Sequence, residues 1–528
     1  MAVDQTKQGS DWRKKESFGS AILQIAVVAA LLGGAVYFFY QRGTVKKEVG
    51  EKMTSARLVA IRNNPADLQA ALKQADEILA IDASSADGLA FAAALHTELW
   101  TVYKVPGEDA KAKDFLAKAE KADDRNREDR HASKALLLIA DGKAAEAESY
   151  IDELRKRGGA SPRLFFAQAL ALQAQGNLKL ARAGFISAAD KAWKDPAYTT
   201  GFGEANLAEG LFPQAADAFN KALGANPEHL RARLGAALTK VFRRVSMKDA
   251  EDLVKELGAV DLTPSLKARR ATVAAELANV VGNYDEAIKA ADEGIAADPN
   301  DAWAHFARAR ALGFKKDPGA AAAFDAVLAK NKVAPLFYFD GAALLQQAGS
   351  LDAALALLDK YEAEFKNVKF TDSSGKEESY LARDDRYWLA RGDVLLAAKK
   401  DDDAMAAYDK AIAAKSINQV RANYAKAAML VARKDYDKAT ELLVDITPPD
   451  GTGSLPEAYV AMGEIQFAKT DYAPGCQSFA FALTGMKMRQ APREQMNALL
   501  DDVSKKLIAA KQKEIAKAWK EEASKLIQ

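Results

Sequence analysis

A spacing of 34 residues constrains the fold of this chain more than any other feature. Alanine stands at Ala147, Ala181 and Ala215, so the two intervals are 34 residues each, and a large apolar residue follows four positions after each alanine. Residues four apart lie on one face of an α-helix. A period of this length is typical of a helix–turn–helix repeat, whose units bury their apolar faces against one another.

The same pair of positions recurs along most of the chain. The small residues are Ala112, Ala147, Ala181, Ala215, Ala250, Ala287, Ala320, Ala354, Ala404, Ala439 and Gly475. The apolar residues four positions later are Leu116, Ile151, Phe185, Phe219, Val254, Ala291, Phe324, Leu358, Tyr408, Leu443 and Phe479. We therefore predict an all-α chain of stacked helical hairpins.

Glycine marks the turn inside several of these units. It stands five positions before the small residue at Gly142, Gly176, Gly210, Gly282 and Gly349. The turn between two antiparallel helices favours a residue that tolerates positive φ, and glycine does so without steric cost.

The segment GNYDEAI at 282–288, followed by DPND at 298–301, resembles the consensus of the tetratricopeptide repeat family. Copies at 203–227 and 388–411 carry the same glycine, alanine and aromatic positions. The resemblance covers roughly residues 50–488, which corresponds to about eleven to twelve repeats. It implies an all-α, right-handed α-solenoid whose extended surface binds other proteins, and it speaks against an enzyme.

Two segments depart from the regular repeat. The unit at 230–262 lacks the turn glycine and the closing Asp-Pro pair. The step from Ala354 to Ala404 is 50 residues long, so it holds an insertion near 366–383. In that insertion a DSSG turn separates short alternating segments, which predicts a protruding hairpin or loop. It is either a binding element or a tolerated surface loop.

The C-terminal segment, 489–528, keeps apolar residues at helical spacing, with Lys and Glu on the other face. These apolar residues are Leu499, Leu500, Val503, Leu507, Ile515 and Trp519. Terminal units of a repeat array need a polar outer surface, so we predict helices that cap the array. A docking helix for a partner is the alternative.

An uncharged stretch from Phe18 to Tyr40 is long enough to cross a membrane. At about 1.5 Å per residue, a helix of this length covers the ~30 Å hydrocarbon core with some tilt. Its far end is aromatic and precedes Arg42, as in an uncleaved anchor rather than a cleaved signal. We predict a polar N-terminal tail at 1–17, a transmembrane anchor at 18–40 and a linker at 41–49. A buried core helix is the alternative.

The charges beside this stretch barely favour one orientation. Lys7, Arg13, Lys14 and Lys15 before it are matched by Arg42, Lys46, Lys47 and Lys52 after it. Because short flanks count more than long translocated domains, we favour a cytoplasmic tail, which in a bacterium places the repeats in the periplasm. Small residues at Ala26, Ala30 and Gly34 offer a line for packing against another membrane helix.

Composition argues against several other functions. Lys and Arg number 74 and Asp and Glu 73, so no global positive field draws the chain to nucleic acid. The one cysteine, Cys476, forms no internal disulfide or thiolate zinc site. The four histidines lie in different units without a second ligand at helical spacing. We therefore predict no catalytic residues, no cofactor and no metal site.

The family resemblance implies a protein-binding surface on the concave face, which the first helix of each unit lines. Its aromatic and aliphatic candidates are Phe166, Phe306, Phe339, Leu389, Tyr424 and Val460. Its arginine candidates are Arg163, Arg231, Arg269, Arg310, Arg386 and Arg421. Such side chains are common interface anchors, and an arginine ladder would grip carbonyls or carboxylates of an extended segment. An error of one residue in register would instead place some of the aromatics in the core.

These features together predict a membrane-anchored scaffold. It would bind other proteins or peptides in the assembly of an envelope complex of the secretion, pilus or motility type. The alternative is a chaperone-like receptor for client proteins at a translocon.

Overall fold

The computed structural model of the chain describes residues 18–122, 128–371, 374–415 and 419–527. The predicted N-terminal tail, 1–17, lies outside the described residues. Those that are described form 27 α-helices, one 3₁₀ turn at Leu257–Ala259 and one two-stranded sheet. The predicted all-α repeat fold is confirmed.

The helices before the insertion are α1 (Phe18–Ala60), α2 (Pro65–Ile81), α3 (Ala86–Thr101), α4 (Glu108–Ala122), α5 (Glu128–Ala140), α6 (Ala144–Lys156), α7 (Pro162–Ala174), α8 (Leu178–Lys191), α9 (Pro196–Ala208), α10 (Phe212–Ala225), α11 (Leu230–Arg243), α12 (Met247–Glu256), α13 (Pro264–Val280), α14 (Tyr284–Ala297), α15 (Ala302–Phe314), α16 (Ala320–Lys330), α17 (Pro335–Gln347) and α18 (Leu351–Phe365). The strands are β1 (Lys369–Thr371) and β2 (Glu377–Ser379). The remaining helices are α19 (Tyr380–Arg383), α20 (Asp385–Ala397), α21 (Asp401–Ala413), α22 (Gln419–Ala432), α23 (Tyr436–Val444), α24 (Pro456–Ala468), α25 (Tyr472–Met488), α26 (Arg493–Ala509) and α27 (Lys513–Ile527).

The chain divides into a unit that ends at Leu137 and a unit that begins at Leu138. In the first unit, the C-terminal part of α1 packs on α2, α2 on α3, and α3 on α4. Met53, Ala56 and Ala60 are the buried apolar residues of α1. Residues 41–49, predicted as a linker, belong to α1, which is one helix of 43 residues.

The second unit is a series of helical hairpins that pack in chain order from α7–α8 to α26–α27. Throughout the described repeats, all eleven predicted small residues are buried. Ten of the eleven apolar partners are buried as well, and Val254 is half-buried. The face predicted from the 34-residue spacing is therefore the core of the array.

The turns inside the hairpins show why some units lack the predicted glycine. Gly210 and Gly282 adopt φ of 76° and 80° there, while Lys399 and Lys434 adopt φ of 58° and 61° at the equivalent place. In the irregular unit at 230–262, Arg244 takes this left-handed conformation with φ of 54°. A left-handed non-glycine residue costs about 1–2 kcal/mol, which the packing of the hairpin offsets.

The insertion forms the predicted hairpin, with β1 antiparallel to β2 and Phe370 paired to Glu378. It does not simply protrude, because Phe370 is 7% exposed and the Lys179 ammonium lies 3.7 Å from the centre of its ring. The hairpin therefore packs on the beginning of α8. Asp372 and Ser373 of the predicted turn lie outside the described residues.

Helices α26 and α27 form a final hairpin against α25. Leu500, Val503, Leu507 and Trp519 are buried in one cluster with Phe479 of the last repeat. The predicted apolar stripe therefore covers the end of the array.

Candidate functional site

The first helices of successive repeats form a continuous inner face in the second unit. Each first helix contacts the next one in the order α9, α11, α13, α15, α17, α20, α22 and α24. In addition, α9 contacts α17, although three first helices lie between them in the series. The array therefore curls so that the inner face of α9 to α20 closes on itself.

Half of the predicted arginine ladder, three residues of six, is paired with carboxylates of the protein. Arg231 donates to Glu204 at 2.6 Å, and Arg310 donates to Glu276 and, at 2.7 Å, to Asp340. The guanidinium of Arg310 also lies 4.9 Å from the centre of a phenylalanine ring of α11. These arginines are thus neutralised by carboxylates and are not a free row of donors for a ligand.

Arg386 joins two distant parts of the inner face, which we call the α9–α20 junction. It donates to the main-chain oxygen of Glu209 at 2.6 Å and to both oxygens of Asp384, at 3.0 and 3.2 Å. Arg182 donates to the side chain of Glu209 at 2.6 Å, and Tyr361 donates to Asp384. Burial raises the pKa of the Glu209 carboxyl above its ordinary value. The junction is a buried network of charges that holds the closed curve together.

The aromatic and aliphatic candidates on α15, α17 and α20 are buried or half-buried. Phe306 is 0% exposed and Leu389 is 6% exposed, so their predicted place on an open binding surface is wrong. Their side chains face the packed interior between helices. This is the alternative stated above, in which an error in register places candidate residues in the core. Phe339 is half-buried, with its ring 4.9 Å from that of Tyr361 and the Arg386 guanidinium 5.4 Å from its centre.

The candidates on α7 and α13 are also in contact with neighbours. Phe166 is half-buried, with its ring 5.2 Å from that of Tyr198. Arg163 is half-buried at the start of the same helix. On α13, the guanidinium of Arg269 lies 5.4 Å from the centre of the Trp303 ring. These residues support the packing between repeats.

Of the twelve predicted site residues, the most accessible lies on α22, and we call the inner face of α22 and α24 the α22–α24 surface. Arg421 is exposed there, and Tyr424 and Val460 are half-buried. Burial, and next the charge of Glu457, raises the pKa of the Tyr424 hydroxyl, which stays protonated and able to donate. An aromatic ring, an aliphatic side chain and an exposed arginine together make a surface suited to a peptide.

Sequence reasoning missed the carboxylates that neutralise the arginines. Glu276 and Arg310 stand 34 residues apart, the repeat period itself. An acidic and a basic residue at this interval on first helices is a signal for pairing between neighbouring repeats.

No group of three or more His, Cys, Asp or Glu residues suited to a metal ion occurs in the described ranges. Cys476 is half-buried, and burial raises the pKa of its thiol to about 11. It is therefore protonated at neutral pH and a weak nucleophile.

The sequence matches the family model described as tetratricopeptide repeat over residues 133–196 and 200–257. This part of the chain consists of tetratricopeptide repeats. The matched stretches cover α6 to α8 and α10 to α12, with most of α5 and α9. No curated protein matches the sequence significantly.

The repeat protein is similar to several solved structures. A human IFIT1 dimer with PPP-AAAA is 16% identical, with 76% of this chain and 94% of that chain covered and a TM-score of 0.42. The APC/C hetero-tetramer Cut9–Hcn1 is 13% identical, with 83% of this chain and 95% of that chain covered and a TM-score of 0.35. A tetratricopeptide repeat protein from Parabacteroides merdae is 18% identical, with 56% of this chain and 95% of that chain covered and a TM-score of 0.28.

Proposed function

We propose that this chain is a membrane-anchored scaffold that gathers other proteins at a membrane surface. Tetratricopeptide repeats mediate interactions between proteins, and the long surface of an array sums many weak contacts into useful affinity. The finer proposal is a role in assembling an envelope complex of the secretion, pilus or motility type. In a bacterium the anchor would lie in the inner membrane, with the repeats in the periplasm.

The observation that carries this proposal is the character of α1. From Ile22 to Tyr40, its large apolar side chains are 51–73% exposed, and none of its most apolar window is buried. An apolar surface of this extent is unfavourable in water, whereas the hydrocarbon of a bilayer would accommodate it. Tyr37 and Tyr40 at its end suit the interface between lipid and water.

The same helix would tie the repeats closely to the membrane. It continues without a break from Tyr40 to Met53, where its buried contacts with the first repeat begin. At about 1.5 Å per residue, that distance is about 20 Å along the axis. The first repeat would therefore be held beside the bilayer by a stiff helix instead of a flexible tether.

The α22–α24 surface is the part of the inner face that we assign to partners. Arg421 would bind a carboxylate or carbonyl oxygen of the partner, and Tyr424 and Val460 would pack against its apolar side chains. Because α9 to α20 close on one another, we do not assign partner binding to Phe306 or Leu389.

The proposal is tested by crosslinking native membranes and purifying the full chain through a C-terminal tag. Wild type is compared with Arg421→Ala/Tyr424→Ala. The matched control, Arg433→Ala/Tyr436→Ala, removes the same side chains at the turn between α22 and α23. We expect a short set of stoichiometric partners that only the first variant loses.

The other outcomes discriminate between the alternatives. A broad set of secreted clients would favour the chaperone-like receptor at a translocon. Partners retained by both variants would show that the α22–α24 surface is not the binding site. An absence of any crosslinked protein would contradict the scaffold itself. Protease treatment of intact spheroplasts digests the repeats if they are periplasmic and spares them if they are cytoplasmic.

A further inference from the structure

Gln24 is the only residue between Ile22 and Val36 of α1 that carries a polar side chain. The side chain is exposed, and its amide makes no hydrogen bond with any described residue. At about 1.5 Å per residue, Gln24 lies about 9 Å along the helix axis from Phe18 and about 24 Å from Tyr40, the two ends of the uncharged stretch. A glutamine side chain reaches neither end. When α1 spans a bilayer, this amide therefore lies in hydrocarbon.

An amide in hydrocarbon requires a hydrogen-bond partner. The lipid chains offer no donor or acceptor, so an unpaired amide there is unfavourable. The main-chain groups of a membrane helix are already paired within the helix, which leaves them unable to replace water. The partner must then be a polar group on a second membrane helix, and glutamine is one of the residues that form such bonds between helices.

The chemistry of the amide favours a second copy of this chain as that partner. An amide donates through its nitrogen and accepts through its oxygen. Two copies of Gln24 that face each other across a two-fold axis therefore satisfy each other, with no further residue required. A single polar residue within an apolar helix contact also fixes the register of the helices and their number.

The residues on the Gln24 side of α1 are suited to this contact. Val27, Val28 and Leu31 stand three, four and seven positions after Gln24, so they share its side of the helix. Their side chains are 51%, 53% and 68% exposed, which leaves them free to pack. Membrane helices mostly cross at about +20°, an angle that keeps such a row in contact over several turns. We call Gln24, Val27, Val28 and Leu31 the Gln24 face.

The small residues of α1 lie on a different side of the helix. Successive residues are rotated by about 100°, so Ala26 stands roughly 160° from Gln24. Ala30 and Gly34 continue that line. Small apolar residues are compatible with lipid and require no partner, whereas the amide of Gln24 does. The amide therefore decides which face of α1 is covered.

We propose that α1 associates with α1 of a second copy through the Gln24 face, as a parallel pair of membrane spans. The inference rests on the proposed membrane anchor and adds the partner of that helix. Each pair carries two α22–α24 surfaces, so a partner with two binding segments is held by both, and its apparent affinity rises.

The first test measures association by energy transfer. The full chain, labelled at its N-terminus with a donor or an acceptor dye, is reconstituted into phosphatidylcholine vesicles at increasing lipid-to-protein ratios. Gln24→Leu removes the amide and makes the span more apolar, so the variant stays in the membrane. We expect its dissociation constant to be at least about tenfold larger than that of wild type. The matched control, Gln41→Leu, removes an amide beyond the uncharged stretch and leaves the constant unchanged.

The second test locates the contact. In a Cys476→Ser background, Ala35→Cys and Ala26→Cys each introduce one thiol into the span. Ala35 is eleven positions after Gln24 and within about 20° of it around the helix, whereas Ala26 faces away. Native membranes are oxidised with copper phenanthroline and air. We expect a disulfide-linked dimer with Ala35→Cys and at least tenfold less with Ala26→Cys.

The inference is overturned if Gln24→Leu associates as tightly as wild type, or if Ala26→Cys crosslinks as readily as Ala35→Cys. It is also overturned if the wild-type chain is monomeric at every lipid ratio, in which case a different membrane protein crosslinked to Ala35→Cys is the occupant. Alkaline extraction separates these failures from that of the anchor. A chain that stays in the pellet keeps its anchor and loses only the self-association, whereas an extracted chain has no membrane span.

Discussion

Arg386 of α20 donates to the main-chain oxygen of Glu209 at 2.6 Å, although the two residues are 177 positions apart in the chain. The bond joins the beginning of one first helix to the end of another, across several intervening repeats. In a simple solenoid each repeat contacts only its neighbours. This contact makes the part between α9 and α20 a closed, mutually supported body.

Removing the guanidinium should destabilise that body. Arg386→Ala leaves Asp384, whose side chain is 3% exposed, without its cation and opens the contact with Glu209. We expect the free energy of unfolding, measured by urea denaturation, to fall by about 2–4 kcal/mol. The control Arg383→Ala removes an arginine paired to Glu378 at the surface and should cost less than about 1 kcal/mol. Equal losses in the two variants would rule out a special role for the junction.

Glycine in first helices makes room for the apolar residue of the facing helix. A Cβ at Gly392 would lie 2.5 Å from Tyr408 Cε1, whereas a Cβ at Gly224 in α10 would meet nothing within 4 Å. Gly392→Ala should therefore lower the free energy of unfolding by about 1–3 kcal/mol. Gly224→Ala should raise it by about 0.4–1 kcal/mol, because alanine restricts the unfolded chain. Thermal denaturation of both variants checks the opposite signs, and a loss of stability in both would contradict the steric argument.

The core was predictable from the sequence because it depends on local spacing. Ala404 and Tyr408 face the interior because the helix places positions four apart on one side. The accessibility of the inner face was not predictable in the same way. Whether Phe306 or Val460 is open to a partner depends on how far the array curls, which is the sum of small rotations between many repeats. No residue near Arg386 indicates that Glu209 will lie beside it.

Glu276 should make the stability of the repeats depend on pH. Burial raises the pKa of its carboxyl from 4.5 to about 7 in the folded chain. Between these two values the folded state binds more protons than the unfolded state, so stability falls as pH rises through this window. Glu276→Gln removes this titration, and the difference in unfolding free energy between variant and wild type should grow by roughly 1–3 kcal/mol from pH 4.5 to 7. Urea denaturation of both proteins across that pH range checks the prediction. A difference in unfolding free energy that stays constant with pH would contradict it.

The exposed part of α1 should decide whether the chain stays in a membrane. Val27 and Leu31 lie near the middle of the apolar stretch, and an arginine at the centre of a membrane helix costs about 2.5–3.5 kcal/mol. Val27→Arg/Leu31→Arg should therefore move the chain from the membrane pellet to the supernatant on alkaline extraction. The matched control, Leu58→Arg/Ile61→Arg, places the same charges at exposed positions beyond the stretch and should leave the chain in the pellet. If the first variant also remains in the pellet, hydrocarbon does not surround this helix, and another protein must cover its apolar surface.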